Sequence, residues 1–400
     1  MNYPIYLDNN ATTPCDPRVL EEMLPYFRER FGNASSRSHL YGWEAAEAVN
    51  QARERVAGLI GSEPNEIVFT SGATEAINLA IKGVFEMYSS KGNHIITCST
   101  EHHAVLDTCR HLEKLGAEIT YLPVDENGLI DITELKNSLK PATILITVMF
   151  ANNETGVIQD IKKISSVVRE NNVLFFTDAT QAVGKIPVDV NADGIDLMAF
   201  SSHKIYGPKG VGALYIRRKN PRVRLTPQID GGGQEKGLRS GTLNVPGIVG
   251  FGKAAELCIK EGEEERKRIT SLRDKLEKGL ANLEQSHVNG NKANRLPGVC
   301  HIRFNHVNGD ALMMECNKEI ALSSGSACSS ASLDPSHVLL AMGQDDELAQ
   351  SSVRFSLGRF NTPEEIDYTV KKVTEAVIRL REISPAWNMS ETKVNNSAKN

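Results

Sequence analysis

Short, almost unbroken apolar runs recur through the first half of the chain: Glu66 to Thr70, His94 to Thr97, Ala142 to Phe150, Val173 to Phe176 and Ile195 to Phe200. Runs this short that do not alternate predict strands buried on both faces. Stretches with helical spacing separate them, among them Tyr41 to Ile60, Ala76 to Glu86 and Ile161 to Glu170. Strand thus alternates with helix from Glu66 to about Ile216, the order of an α/β fold with a mostly parallel sheet. Farther on, Ile269, Leu272, Leu276, Leu280 and Leu283 mark one buried face of a helix predicted from Val245 to about Glu284. The domain boundary is expected near the middle of that helix. Residues 16–260 form the expected large domain. Residues 1–15 with 261–388, which hold strand candidates at Val299 to Phe304 and Val353 to Leu357, form a smaller α+β domain. The polar residues 389–400 read as a mobile tail.

Polar turns stand at the ends of the predicted strands, where open α/β sheets build ligand sites. In Ser71-Gly72-Ala73-Thr74-Glu75 a glycine turn runs into a helix and offers backbone N–H groups to a phosphate. Glu101-His102-His103 opens another helix, and a histidine there can stack on a cofactor ring or move protons. Ala151 to Gly156 supplies asparagine amides, and Asp178 to Gln181 follows the next strand. Two further turns, Asp8 to Pro14 and Phe31 to His39, precede helices and can either line a site or cap those helices. Lys204, in Ser201-Ser202-His203-Lys204, sits at an apolar strand end beside a second cation, His203. Such a setting destabilises an ammonium and makes it a nucleophile toward carbonyls. Asp178 is the complement, a fixed carboxylate able to keep a ring nitrogen protonated, and the pair suggests pyridoxal phosphate. Asp230 to Glu235 and Leu238 to Thr242 form a glycine-rich connection suited to an anion. Arg354 and Arg359 can hold a substrate carboxylate.

With 400 residues, 40% hydrophobic and 24% charged, the chain can bury a sizeable core. A formal charge of −5 leaves no electrostatic footprint for nucleic acid. No apolar run approaches the ~18 residues that span a bilayer, and no export signal is visible, so the cytoplasm is the expected compartment. Seven cysteines without CxxC spacing argue against disulfides and against a metal site of the protein's own. Cys328 differs from the rest. It lies in Ser323-Ser324-Gly325-Ser326-Ala327-Cys328-Ser329-Ser330, nearly all small and polar, which predicts an exposed thiol on a mobile loop.

Taken together these residues carry a family resemblance over nearly the whole chain. Tyr6-Leu7-Asp8-Asn9-Asn10-Ala11-Thr12-Thr13-Pro14, Thr70-Ser71-Gly72-Ala73-Thr74-Glu75, Ala151-Asn152-Asn153-Glu154, Asp178-Ala179-Thr180-Gln181, Ser201-Ser202-His203-Lys204 and the Cys328 loop resemble, in order, a cysteine desulfurase of the IscS/NifS group. The resemblance implies a fold-type I pyridoxal-phosphate enzyme with a seven-stranded sheet. It implies that Lys204 bonds the cofactor covalently, Asp178 holds its ring nitrogen, Gln181 bonds its ring hydroxyl and His102 stacks on the ring. Phosphate would be held by Ala73, Thr74, Ser201 and His203, with Thr242 from the partner subunit of a homodimer. Asn153 would touch the cofactor and, with Arg354 and Asn33, the substrate carboxylate. Cys328 would take the sulfur of L-cysteine as a persulfide, leaving alanine. It would pass the sulfur to an IscU/NifU-like iron–sulfur scaffold protein or another acceptor, with which it can transiently share a cluster. The terminal helix ending at Trp387 either docks that scaffold or anchors on the core. A selenocysteine lyase or another class V aminotransferase is the alternative enzyme, and a non-catalytic iron or sulfur scaffold the alternative of another class.

Overall fold

The computed structural model describes residues 3–324, 334–385 and 387. The chain enters through β1 (Ile5–Tyr6). One large sheet then takes β2 (Ile67–Thr70), β3 (His94–Cys98), β4 (Glu118–Leu122), β5 (Thr143–Thr147), β6 (Leu174–Asp178), β7 (Leu197–Ser201) and β8 (Gly212–Ile216). Their order across the sheet is β2-β8-β7-β6-β5-β3-β4. All pairings are parallel except those of β8, which runs antiparallel to β2 and β7. The exception has a simple cause. Only one short 3-10 turn, Ser202–Lys204, lies between Ser201 and Gly212, and so short a connection turns the chain back on itself. The loop that makes this turn carries Lys204.

Alternate residues of each strand feed different cores. Phe69, Phe175, Met198, Phe200 and Tyr215 join one cluster, with the helices Leu40–Leu59 and Ile161–Glu170. Val68, Phe176, Leu197, Ala199 and Leu214 join the other, with the helix Ala73–Met87. Burial on both faces explains why the strands read as continuous apolar runs. Within the large sheet β4 and β8 are not among the predicted runs; β4 is an edge strand that keeps polar residues and is mostly half-buried.

The long helix Val245–Ala281 packs Ile248, Phe251 and Ala255 into the first core and Ile269, Leu272, Leu276 and Leu280 into a third. That third core gathers β9 (Ser286–Val288), β10 (Val299–Phe304), β11 (Ile320–Ala321), β12 (Ser352–Ser356) and the helix Pro363–Glu382. Strands β12, β10 and β9 form a small sheet, and β1 pairs with β11. The entering segment then crosses between units. Ser356 N–H donates to the Leu7 carbonyl (2.7 Å), whereas Thr13 N–H donates to the His203 carbonyl (2.9 Å) and Asp16 N–H to the Tyr206 carbonyl (2.9 Å). Among the described residues no helix is long and apolar enough to cross a membrane.

Candidate active site

The strand ends and the crossing segment surround a cavity of about 510 Å³. β6 delivers Asp178, buried at its end, with Oδ1 accepting the Thr180 N–H at 2.9 Å. β7 delivers Ser201, and a tight turn after it places His203 and Lys204 on the cavity wall. Lys204 Nζ donates to the Asn10 and Ala11 carbonyls at 2.5 and 2.7 Å. The crossing segment therefore holds this lysine with main-chain oxygens.

At another side, β2 runs through Ser71 and Gly72 into the helix from Ala73, whose first turn lacks a side-chain cap. Gly212 makes the close approach possible, because a Cβ there would stand 2.7 Å from the Gly72 Cα. His102 is the N-cap of the helix His103–Glu113, its Nδ1 accepting the Ala104 N–H at 3.0 Å. A ring whose Nδ1 accepts carries its neutral-form proton on Nε2. Asn153 also lines the cavity, and its carbonyl accepts from Asn10 Nδ2 (3.0 Å) and from Arg354 (2.9 Å). Arg354 reaches Asp8 at 2.7 Å with its other arm.

The charges are arranged by burial. Burial, aided by Lys204, His103 and His337, lowers the pKa of His102, against the pull of Asp178. Glu101 is wholly buried, and burial followed by the Asp178 charge pushes its carboxyl well above the usual range. His203 corrects the sequence expectation. Burial first, then Lys204, Lys209 and Lys185, push it to about 4, so at neutral pH it is not the second cation beside Lys204. Its Nδ1 lies 3.1 Å from Thr12 Oγ1 instead. A lysine absent from the sequence reading, Lys185, is the neighbouring amine, and its place is legible only as the residue one helical turn past Gln181.

Ala73, Thr74, His102, Asn153, Asp178, Gln181, Ser201, His203, Lys204 and Arg354 all line the cavity. Asn33 does not. It is exposed, with Oδ1 accepting the Ser35 N–H, so the Phe31 to His39 turn is occupied with its own backbone and, through His39, with capping a helix. Thr242 is also exposed and outside the lining contributed by its own chain. Arg359 is a structural ion pair with Asp16 and Glu265, stacked over Tyr206 at 4.2 Å, rather than a cavity residue. Trp387 lies under the Arg381 guanidinium at 4.4 Å, its ring centroid 6.0 Å from that of His306. Cys328 and residues 389–400 lie outside the described residues.

The residues fit pyridoxal phosphate. An uncapped helix start with Ser201 suits the phosphate, Asp178 suits a ring nitrogen, and the buried Thr180 Oγ1 has no partner among the described residues. Among the described residues no group of three His, Cys, Asp or Glu side chains is arranged to hold a metal ion.

Comparison with known proteins agrees with this geometry. The family model for class-V aminotransferases matches residues 5–369. A cysteine desulfurase IscS of Anaeromyxobacter sp. (strain Fw109-5) is 57% identical over 97% of this chain and 96% of its own. That of Pectobacterium carotovorum subsp. carotovorum (strain PC1) is 54% identical over 100% and 98%. A solved NifS-like protein superposes with a TM-score of 0.87 at 42% identity, covering 93% of this chain and 98% of its own.

Proposed function

The chain belongs to the class-V aminotransferase family and is a cysteine desulfurase of the IscS/NifS group, and from that premise we propose how its residues divide the work. Pyridoxal phosphate, when bound, supplies an electron sink that lets the α-proton of an amino acid leave. Lys204 would hold the cofactor and, with its amine free, would move that proton at its Nζ. Asp178 keeps the ring nitrogen protonated, Gln181 donates to the ring hydroxyl and His102 stacks on the ring. Ala73, Thr74, Ser201, His203 and the partner subunit's Thr242 hold the phosphate. Asn153 and Arg354 hold the substrate carboxylate.

Cys328 attacks the substrate sulfur as a thiolate. The C–S bond breaks, an S–S bond forms, and the carbon keeps the electron pair and takes a proton. Alanine and a persulfide result, and no outside oxidant or reductant is consumed. The observation that carries this reading is the convergence of Lys204, Asp178, Gln181 and His102 on one cavity. The persulfide then serves sulfur acceptors, among them an iron–sulfur scaffold protein, in the cytoplasm. A homodimer supplies Thr242, and the exposed Phe27, Phe31, Leu40, Tyr41 and Trp43 support an apolar contact between copies. The change of core along the helix Val245–Ala281 supports the domain division at 260.

An absorbance spectrum with alanine and sulfide assays tests the whole. A band near ~420 nm that is lost in Lys204→Ala, with turnover abolished in Cys328→Ala, is the expected result. Full sulfide release by Cys328→Ala would overturn the persulfide route and leave the cofactor assignment standing.

A further inference from the structure

Lys185 has no part in the chemistry above, yet its Nζ lies 2.5 Å from Gln181 Oε1 and 2.9 Å from Asn10 Oδ1. The Val183 N–H bonds the Ala179 carbonyl and the Ile186 N–H that of Ala182, winding this stretch into helical turns. Residues four apart, such as Gln181 and Lys185, then share a side. A backbone carbonyl only accepts, so the Gln181 atom 3.0 Å from the Asn10 carbonyl is Nε2 and the Asn10 atom 3.0 Å from the Asn153 carbonyl is Nδ2, which leaves both amide oxygens toward Lys185. Two independent partners thus settle which way the Gln181 amide faces. Its second N–H is left for the cavity that Gln181 lines. Because Lys204 donates to the same Asn10 carbonyl at 2.5 Å, one backbone oxygen joins both residues.

This arrangement survives either charge state of Lys185, since an ammonium has three N–H donors, a neutral amine two, and two acceptors are present. Burial, then the charges of Lys204 and Arg354, hold Lys185 well below the usual lysine range. Glu265, Arg266 and Tyr206 line with Lys185 a second cavity of about 30 Å³, and His203 also feels its charge.

We propose that Lys185 is a positioning residue: it clamps the Gln181 amide and the Asn10 side chain so that Gln181 presents an N–H, and not its carbonyl, to the phenolic oxygen of the cofactor. The inference rests on the cofactor reading above. Its consequence is a proton affinity. Without the clamp the ionised phenolic oxygen loses an oriented donor and, where Lys185 is charged, a positive neighbour. Both losses favour the protonated form. The pH at which the group carried by Lys204 titrates must therefore rise.

The test is a pH titration of the visible band of the substrate-free holoenzyme in wild type, Lys185→Met, Gln181→Leu and the double variant. Lys185→Met is expected to raise the midpoint by about one pH unit. Added to Gln181→Leu, the same change raises it by less than half as much, because Lys185 acts through that amide. An unmoved midpoint in Lys185→Met, or an equal rise in both backgrounds, overturns the proposal. Should Lys185→Met yield no folded holoenzyme, Lys185→Gln is held to the same non-additivity. A wild-type protein with no visible band defeats the cofactor reading instead, and this inference with it.

Discussion

His301, 1% exposed on β10, faces Asn289 Nδ2 at 3.1 Å, and burial with the Arg354 charge pushes it to about 3. In the unfolded chain a histidine titrates near ~6.5. Between these values the unfolded state binds a proton that the folded state refuses, so stability rises with pH and is lost as pH falls. The slope is ~1.4 kcal/mol per pH unit for one such group. Urea unfolding of His301→Asn between about pH 6 and pH 4 is expected to lose that slope; an unchanged slope means that the imidazole is already charged in the fold. Arg354 supports a different expectation. Asp8 holds one arm of its fork and the Asn153 carbonyl the other. A lysine keeps the charge without the fork. Arg354→Lys should therefore raise the KM for L-cysteine about tenfold while the cofactor spectrum stays in place.

The glycine-rich connection after β8 behaves unlike its sequence. Besides the donors it offers, it contributes a carboxylate of its own. Glu235, buried with φ 46°, accepts from Arg53 at 2.6 and 2.9 Å and from the Phe69 N–H at 2.8 Å, pinning the loop to β2. Removing one partner of a buried pair strands the other, so Glu235→Ala should cost ~3 kcal/mol or more in urea unfolding. Nothing local in Gln234-Glu235-Lys236 announces this, because the arginine lies far away in the chain. Asp178, Lys204 and Gln181 were legible for the opposite reason: each follows an apolar run that could only be a buried strand, and strand ends set their neighbours' positions. Lys185 was not legible, since its meaning depends on Asn10 arriving from the chain start. His203 misled because a sequence states a side chain's kind and leaves out the desolvation that decides its charge.

At the scale of the whole molecule, several large apolar residues near the chain start stand exposed. Phe27 is 59% and Phe31 63% exposed. Sedimentation is expected to give twice the chain mass of 43.9 kDa. Phe27→Asp with Phe31→Asp should shift the protein toward the single chain and weaken cofactor retention, because Thr242 would no longer arrive from the neighbour. The cysteines distribute themselves over the same map. Cys98, Cys109, Cys258, Cys300 and Cys316 are all buried, and burial raises every one of their pKa values, to about 12 for the first three and about 11 for Cys316. Such thiols are protonated throughout the physiological range, and a protonated thiol is a poor acceptor of sulfane sulfur. These five buried thiols are thus chemically silent toward the product, whereas Cys15 is exposed. A reactive sulfur atom can be generated inside this protein without migrating through its buried cysteines.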